Sequence, residues 1–280
     1  MRDGDSNALL GEDAWAMSAT LTRRSWGIGH DRRPPTWRRR PMPMHRPALY
    51  RWHLLGLALT GGALAIVFHA TRLDLDLAAH WYDRTSHTFP WRDAWLTHYA
   101  VHRILKSLEI VAGIAMCVLA ILAARSTQPG FLSTHRRRLA CVAISFIVVP
   151  ATIGLLHHLS ATHCPWDVAE FGGASPYFDL LQATPAGVPP GRCFPSAFVS
   201  SGSWMLSFTW LWYPERPRRC VCIALLAFAW SFGLGWIQQM RGAHFLSHTL
   251  WSLWVSWAIV LFVHYACGAR REAELAAGRK

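Results

Sequence analysis

Three short stretches of this chain carry the residue types that do chemistry. One runs from Arg241 to His248 and sets Arg241, His244 and His248 between two apolar runs. Such groups are costly near hydrocarbon and are usually kept for a ligand or a reaction. A second, from Gly191 to Gly202, holds Arg192, Cys193, Pro195 and Ser196, and a third, from His157 to Asp167, holds His157, His158, His163 and Cys164. Together they suit a phosphate. Pro195 near a helix start, followed by Ser196, offers backbone N–H groups and a hydroxyl to an anion, aided by the helix dipole. Arg192 and Arg241 supply forked donors for phosphate oxygens. His244 is a candidate nucleophile, and His248, four residues on, shares its face if the turn is helical.

The elements that position these residues are membrane spans. The 280-residue chain is 52% hydrophobic and only 16% charged, with 16 tryptophans, yet its formal net charge is +12. Six apolar runs read as spans: about 54–70, 107–124, 139–156, 195–213, 220–237 and 248–267. Each is close to the ~20 residues that cross ~30 Å of hydrocarbon at 1.5 Å per residue. None alternates with period two, which argues against a barrel. The expected fold is therefore all-α, a polytopic six-transmembrane-helix bundle in which the three polar stretches emerge on one side and pool into one pocket.

Arginine placement predicts the orientation. Arginines crowd before the first span, in the loop after the second (Arg125, Arg136, Arg137, Arg138), after the fourth (Arg216, Arg218, Arg219) and in the tail. This predicts both termini in the cytoplasm and the polar stretches on the opposite, non-cytoplasmic face of the membrane. The first opposite loop is imperfect, since it carries Arg72, Arg84, Arg92, Arg103 and Lys106. The surplus charge reads as topology and contact with anionic membrane lipid, and no nucleic acid partner is expected. Residues 1–48 read as a disordered, Arg/Pro-rich cytoplasmic arm without the apolar core of a signal peptide, with Met42 or Met44 as alternative starts. Residues 49–268 form the membrane domain and 269–280 a basic cytoplasmic tail.

Of the seven cysteines, Cys164 and Cys193 share the loop between spans three and four. In an oxidising compartment they would form a disulfide closing a loop of roughly 30 residues, worth about 3–4 kcal/mol in the chain-entropy model. The alternative is two free thiols. C-x-x-C spacing is absent, so no structural metal is expected.

At these same residues the chain resembles the type-2 phosphatidic acid phosphatase family, which includes bacterial lipid phosphatases and vanadium haloperoxidases. Its signature is K-x6-R-P, then P-S-G-H, then S-R-x5-H-x3-D. The resemblance covers about residues 50–268. A bacterial branch reads CPWD…FGG, then CFP-GGH, then RGAHFLSH, and here 164–167, 171–173, 193–195 and 241–248 match it closely. The resemblance implies a metal-independent hydrolysis with no cofactor, acting on a phosphomonoester or diphosphate of a lipid. A third-motif histidine attacks phosphorus to form a phosphohistidine, a second-motif histidine protonates the leaving oxygen, and basic residues hold the phosphate. Carried onto this sequence, His244 is the nucleophile and His248 orients its ring, while Arg241, Ser196, Arg192 and His157 face the phosphate.

The chain departs from the family at several motif positions. His157 stands at the first-motif lysine, Cys164 at its arginine, Ala197-Phe198 in place of Gly-His, Gln238 at the third-motif arginine and His248 at the acidic partner. Phe198 can neither donate nor accept a proton, and a lost general acid commonly costs ~10²–10⁴ in rate. A second reading is thus a degenerate member that binds lipid phosphate or a membrane partner without turnover. A third, a bis-histidine haem or metal protein, has only the i, i+4 spacing of His244 and His248 behind it.

Overall fold

A computed structural model describes residues 47–277, with side chains described for 48–268. The arm expected over 1–48 lies almost wholly outside the described residues. Long helices follow one another through α1 (Pro47–Ala70), α3 (Lys106–Arg125), α4 (Phe131–Leu159), α6 (Pro217–Met240) and α7 (Leu246–Ala277), with a short α2 (Leu73–Ala79) after the first. A π-helical segment, Trp95–Leu105, runs straight into α3. Five helices are long and apolar enough to cross a membrane, and the protein is a multi-pass membrane protein. The backbone of α7 continues as helix through residues 269–277, into the stretch expected as a basic tail.

The fourth expected span corrects the simple picture of six α-helices. Residues 195–213 contain only the short helix α5 (Ser200–Ser203) and a 3₁₀ stretch, Trp204–Leu211. The cause is local. Ser200 and Ser201 donate to the carbonyls of Ala197 and Phe198, Trp204 Nε1 to that of Ser201, and Thr209 to that of Leu206, all three residues back. Side chains that bond the i−3 carbonyl compete with the α-helical ladder and favour the tighter turn.

The segment nonetheless runs the length of the bundle. Ser196 N–H donates to the carbonyl of His248 near the start of α7, while the Trp210 ring stacks on His264 at 3.7 Å. Residues 248–264 of α7 rise about 24 Å at 1.5 Å per residue. Covering that distance from 196 to 210 needs about 1.7 Å per residue, between the α and 3₁₀ values.

The core forms where α4, the fourth pass and α7 meet: Val142, Val149, Ile153, Trp204, Trp210, Val260 and Leu261. The helices α6 and α7 approach so closely at Gly235 that a Cβ there would lie 2.2 Å from the Thr249 methyl, the small-residue contact that lets membrane helices pack. Leucines on α1 and α3, including Leu59 and Leu108, point outward and are exposed, as lipid-facing positions are. A second apolar cluster of Leu75, Ala78, Phe89, Val168, Phe171 and Phe245 lies at the end where α4 finishes and α7 begins. It anchors the loops that carry the polar stretches.

Candidate active site

The start of α7 is fixed first. Asp74 of α2, 2% exposed, accepts the backbone N–H of Ser247 at 2.9 Å, the Ser247 hydroxyl, and the Tyr177 hydroxyl at 3.4 Å. A carboxylate here satisfies orphan amides and complements the helix dipole. Burial pushes the Asp74 carboxyl up to about 6, against the downward pull of the Ser247 and Tyr177 hydrogen bonds. The turn before the helix depends on Gly242, whose φ of 71° favours glycine. A Cβ there would meet the Phe89 ring at 2.4 Å. The Gly242 carbonyl accepts from Trp166 N–H, so the Cys164–Asp167 loop is tied to the same turn.

This scaffold gathers three histidines. The His244 ring is buried, with Nδ1 3.5 Å from His248 Nδ1 and 3.4 Å from the Cys193 sulfur. From the end of α4, His157 sits with its ring 5.9 Å from that of His244. Its Nδ1 donates to the Pro195 carbonyl at 2.8 Å, because a carbonyl can only accept. The neutral ring therefore carries its lone pair on Nε2. Burial holds His244 well below the ordinary histidine range, and positive charge on His248, His157 or Arg241 would lower it further. His244 is thus an unprotonated base at neutral pH, the state a nucleophile needs. Its Nε2 has no hydrogen-bond partner among the described residues.

Cys164 and Cys193 are joined by a disulfide with Cα atoms 5.3 Å apart. The strands of loop they link also pair through backbone bonds, Arg192 N–H to Ser160 and Cys193 N–H to Thr162. The two sulfurs and a His244 ring nitrogen all lie within 4.8 Å of one another, a donor set of the kind that binds zinc. With the sulfurs bonded to each other, that set offers one nitrogen and no thiolate.

Arg241, 6% exposed, spends Nε on the Arg92 carbonyl at 2.9 Å and Nη1 on Gln238 Oε1 at 3.0 Å. Five N–H donors are present in a guanidinium, so three are left for a ligand. Gln238 stands where the family has an arginine and here props up Arg241, with its own Nε2 buried and unpartnered among the described residues.

Two expected phosphate ligands are placed differently from the sequence reading. Arg192 is exposed and shows no side-chain contact with the histidine cluster among the described residues. Ser196 does not start a helix, because α5 begins only at Ser200. Its N–H is committed to His248, while its hydroxyl is buried without a partner among the described residues. The helix-dipole argument for Ser196 therefore fails, and only its hydroxyl remains on offer.

Phe198 is buried between the π-helical segment and α6, against Val101, Leu234, Leu105 and Ile237. The His102 ring lies 4.9 Å from it at 17°, and Lys106 Nζ reaches to 5.8 Å from the same ring. Asp74 and His102 were both missed in sequence. Asp74 looks no different from Asp76 two residues on, which is exposed, and its partner Ser247 is 173 residues away.

A family model described as the PAP2 superfamily matches residues 138–272. That stretch contains all three polar clusters and leaves α1, α2, the π-helical segment and α3 outside it. No curated protein and no solved structure matches the chain.

Proposed function

From the premise that the chain belongs to the PAP2 superfamily through residues 138–272, we propose that it is a membrane lipid phosphatase working through a phosphohistidine. The observation that carries this reading is the buried His244 ring, with Nδ1 3.5 Å from His248 Nδ1 and Nε2 without a hydrogen-bond partner among the described residues. The Nε2 lone pair attacks phosphorus as the bond to the lipid oxygen breaks and its electron pair leaves with that oxygen, which takes up a proton. Water then attacks phosphorus, the N–P pair returns to nitrogen, and phosphate departs. Arg241 and the Ser196 hydroxyl stabilise charge on the phosphoryl oxygens. His248 holds the attacking ring in one tautomer. A histidine in this place stabilises the developing positive charge less than a carboxylate would.

No metal ion enters this scheme. Membrane placement favours a lipid substrate: phosphatidate, phosphatidylglycerophosphate, a polyprenyl diphosphate or a lipid A phosphate. The resemblance to the bacterial branch favours a bacterial inner membrane, and the arginine-rich segments favour cytoplasmic termini with the histidines on the opposite, periplasmic side. Thiol labelling of cysteines introduced between residues 175 and 190 tests this. Labelling that requires an opened membrane would reverse the orientation.

A second reading, a degenerate binder of lipid phosphate without turnover, is favoured by Phe198, by Gln238 and by Cys164 in a disulfide rather than an arginine. Phosphate release by purified protein across these lipids separates the two. Under the phosphatase reading, wild type releases phosphate and His244→Ala loses it by on the order of 10³-fold or more. Release undiminished in a folded His244→Ala protein would sink the mechanism. No release by wild type would favour the binder.

A further inference from the structure

The family's general acid is missing at Phe198, and what borders Phe198 is a histidine from another part of the chain. His102 lies on the π-helical segment with its ring nearly parallel to that of Phe198, at 4.9 Å and 17°. Its Nδ1 is enclosed and has no hydrogen-bond partner among the described residues. A buried ring nitrogen without a partner costs free energy unless a ligand or water meets it. Arg241, the candidate phosphate ligand, lies near enough for its charge to act on the His102 ring, as do those of Lys106 and Arg103. The ring therefore stands next to the position that carries the acid in the family, within reach of the charge of Arg241. It also sits in a π-helical segment, and π-helical geometry is frequent at functional sites.

We infer that His102 has taken over the acid–base role that Phe198 cannot perform, so that the proton donor arrives from the helix before α3 instead of from the fourth pass. This rests on the phosphatase reading above. In the first step the His102 N–H proton passes to the lipid oxygen as the P–O bond breaks, and the bonding pair stays on that oxygen. In the second, His102 takes a proton from the water that attacks the phosphohistidine, which restores the starting state. The anionic phosphate held by Arg241 favours the protonated ring at the moment of transfer. Phe198 is then a stacking platform that holds the His102 ring in place, and its apolar packing against Val101 and Leu234 gives that platform rigidity.

A general acid matters in proportion to how poor the leaving group is, and that separates a catalytic His102 from a structural one. The test compares wild type and His102→Asn in detergent on two probes, a short-chain phosphatidate with an alkoxide leaving group and p-nitrophenyl phosphate, whose leaving group needs no proton. The expected result is a kcat loss of ~10²–10⁴ on the phosphatidate and less than about fivefold on the aryl ester. Phe198→His placed in the His102→Asn background should restore much of the phosphatidate rate, since it returns an imidazole to the neighbouring position. Equal losses on both probes, or an undiminished phosphatidate rate in His102→Asn, would overturn the inference while leaving the phosphatase reading in place. Absence of release from both probes by wild type would overturn both.

Discussion

The two sides of the site use similar residue types for different ends. On the α7 side, Arg241, His244 and His248 follow a glycine turn and a helix start, and neighbouring groups do the structural work. Asp74 caps the helix and Phe245 anchors the turn in the apolar cluster. The reactive atoms are thereby left over. On the side of α4 and the fourth pass, the motif positions are absorbed into structure. Cys164 is bonded to Cys193, Ser196 N–H is spent on His248, His157 Nδ1 on Pro195, and Phe198 is packed in an apolar cluster. The contrast teaches that position in a motif is insufficient. A side chain can serve chemistry only if something else meets the demands of the backbone and the core around it.

The contrast is sharpest between the two arginines. Arg241 is buried and braced by Arg92 and Gln238, whereas Arg192 is exposed on its loop. Arg241→Ala should lower phosphate release on the order of 10²–10³-fold, the scale of losing one preorganised donor to developing charge. Arg192→Ala should change it less than about threefold. Similar losses from both would place Arg192 at the phosphate and break the distinction between the two sides.

A smaller effect probes the support of the α7 side. The Asp74 carboxyl is raised to about 6 in the fold, above its unfolded value near 3.9. Between those two values the folded protein binds the extra proton, so this group's contribution to stability is greatest at low pH and declines as pH rises through about 6. Asp74→Asn keeps the shape and an acceptor for Ser247 N–H but removes the ionisation. Melting in detergent should show the variant matching wild type near pH 4 and gaining on it by a few degrees toward pH 7. A gap that is constant with pH would mean that Asp74 acts only as a neutral cap.

Much of the architecture is readable from the sequence because hydrocarbon imposes one simple rule, that ~20 apolar residues make a crossing. The path of residues 195–213 follows from hydropathy, but their conformation does not. It depends on which hydroxyls turn back to carbonyls three residues away, as Ser200, Ser201 and Thr209 do. The clustering of His157, His244 and His248 follows from their places at the ends of neighbouring helices. The fate of Ser196 does not, since its amide meets a carbonyl 52 positions along the chain. Asp74 and His102 were invisible for the same reason, as each is defined by a partner that only tertiary packing brings near.

The central claim is that His244 becomes covalently phosphorylated. The direct measurement is a single turnover with a ³²P-labelled lipid phosphate, quenched in alkali, followed by mapping of the label. The account predicts alkali-stable, acid-labile label on the peptide that contains His244, absent from His244→Ala. Turnover that leaves no label on wild type, or label that persists in His244→Ala, would contradict it.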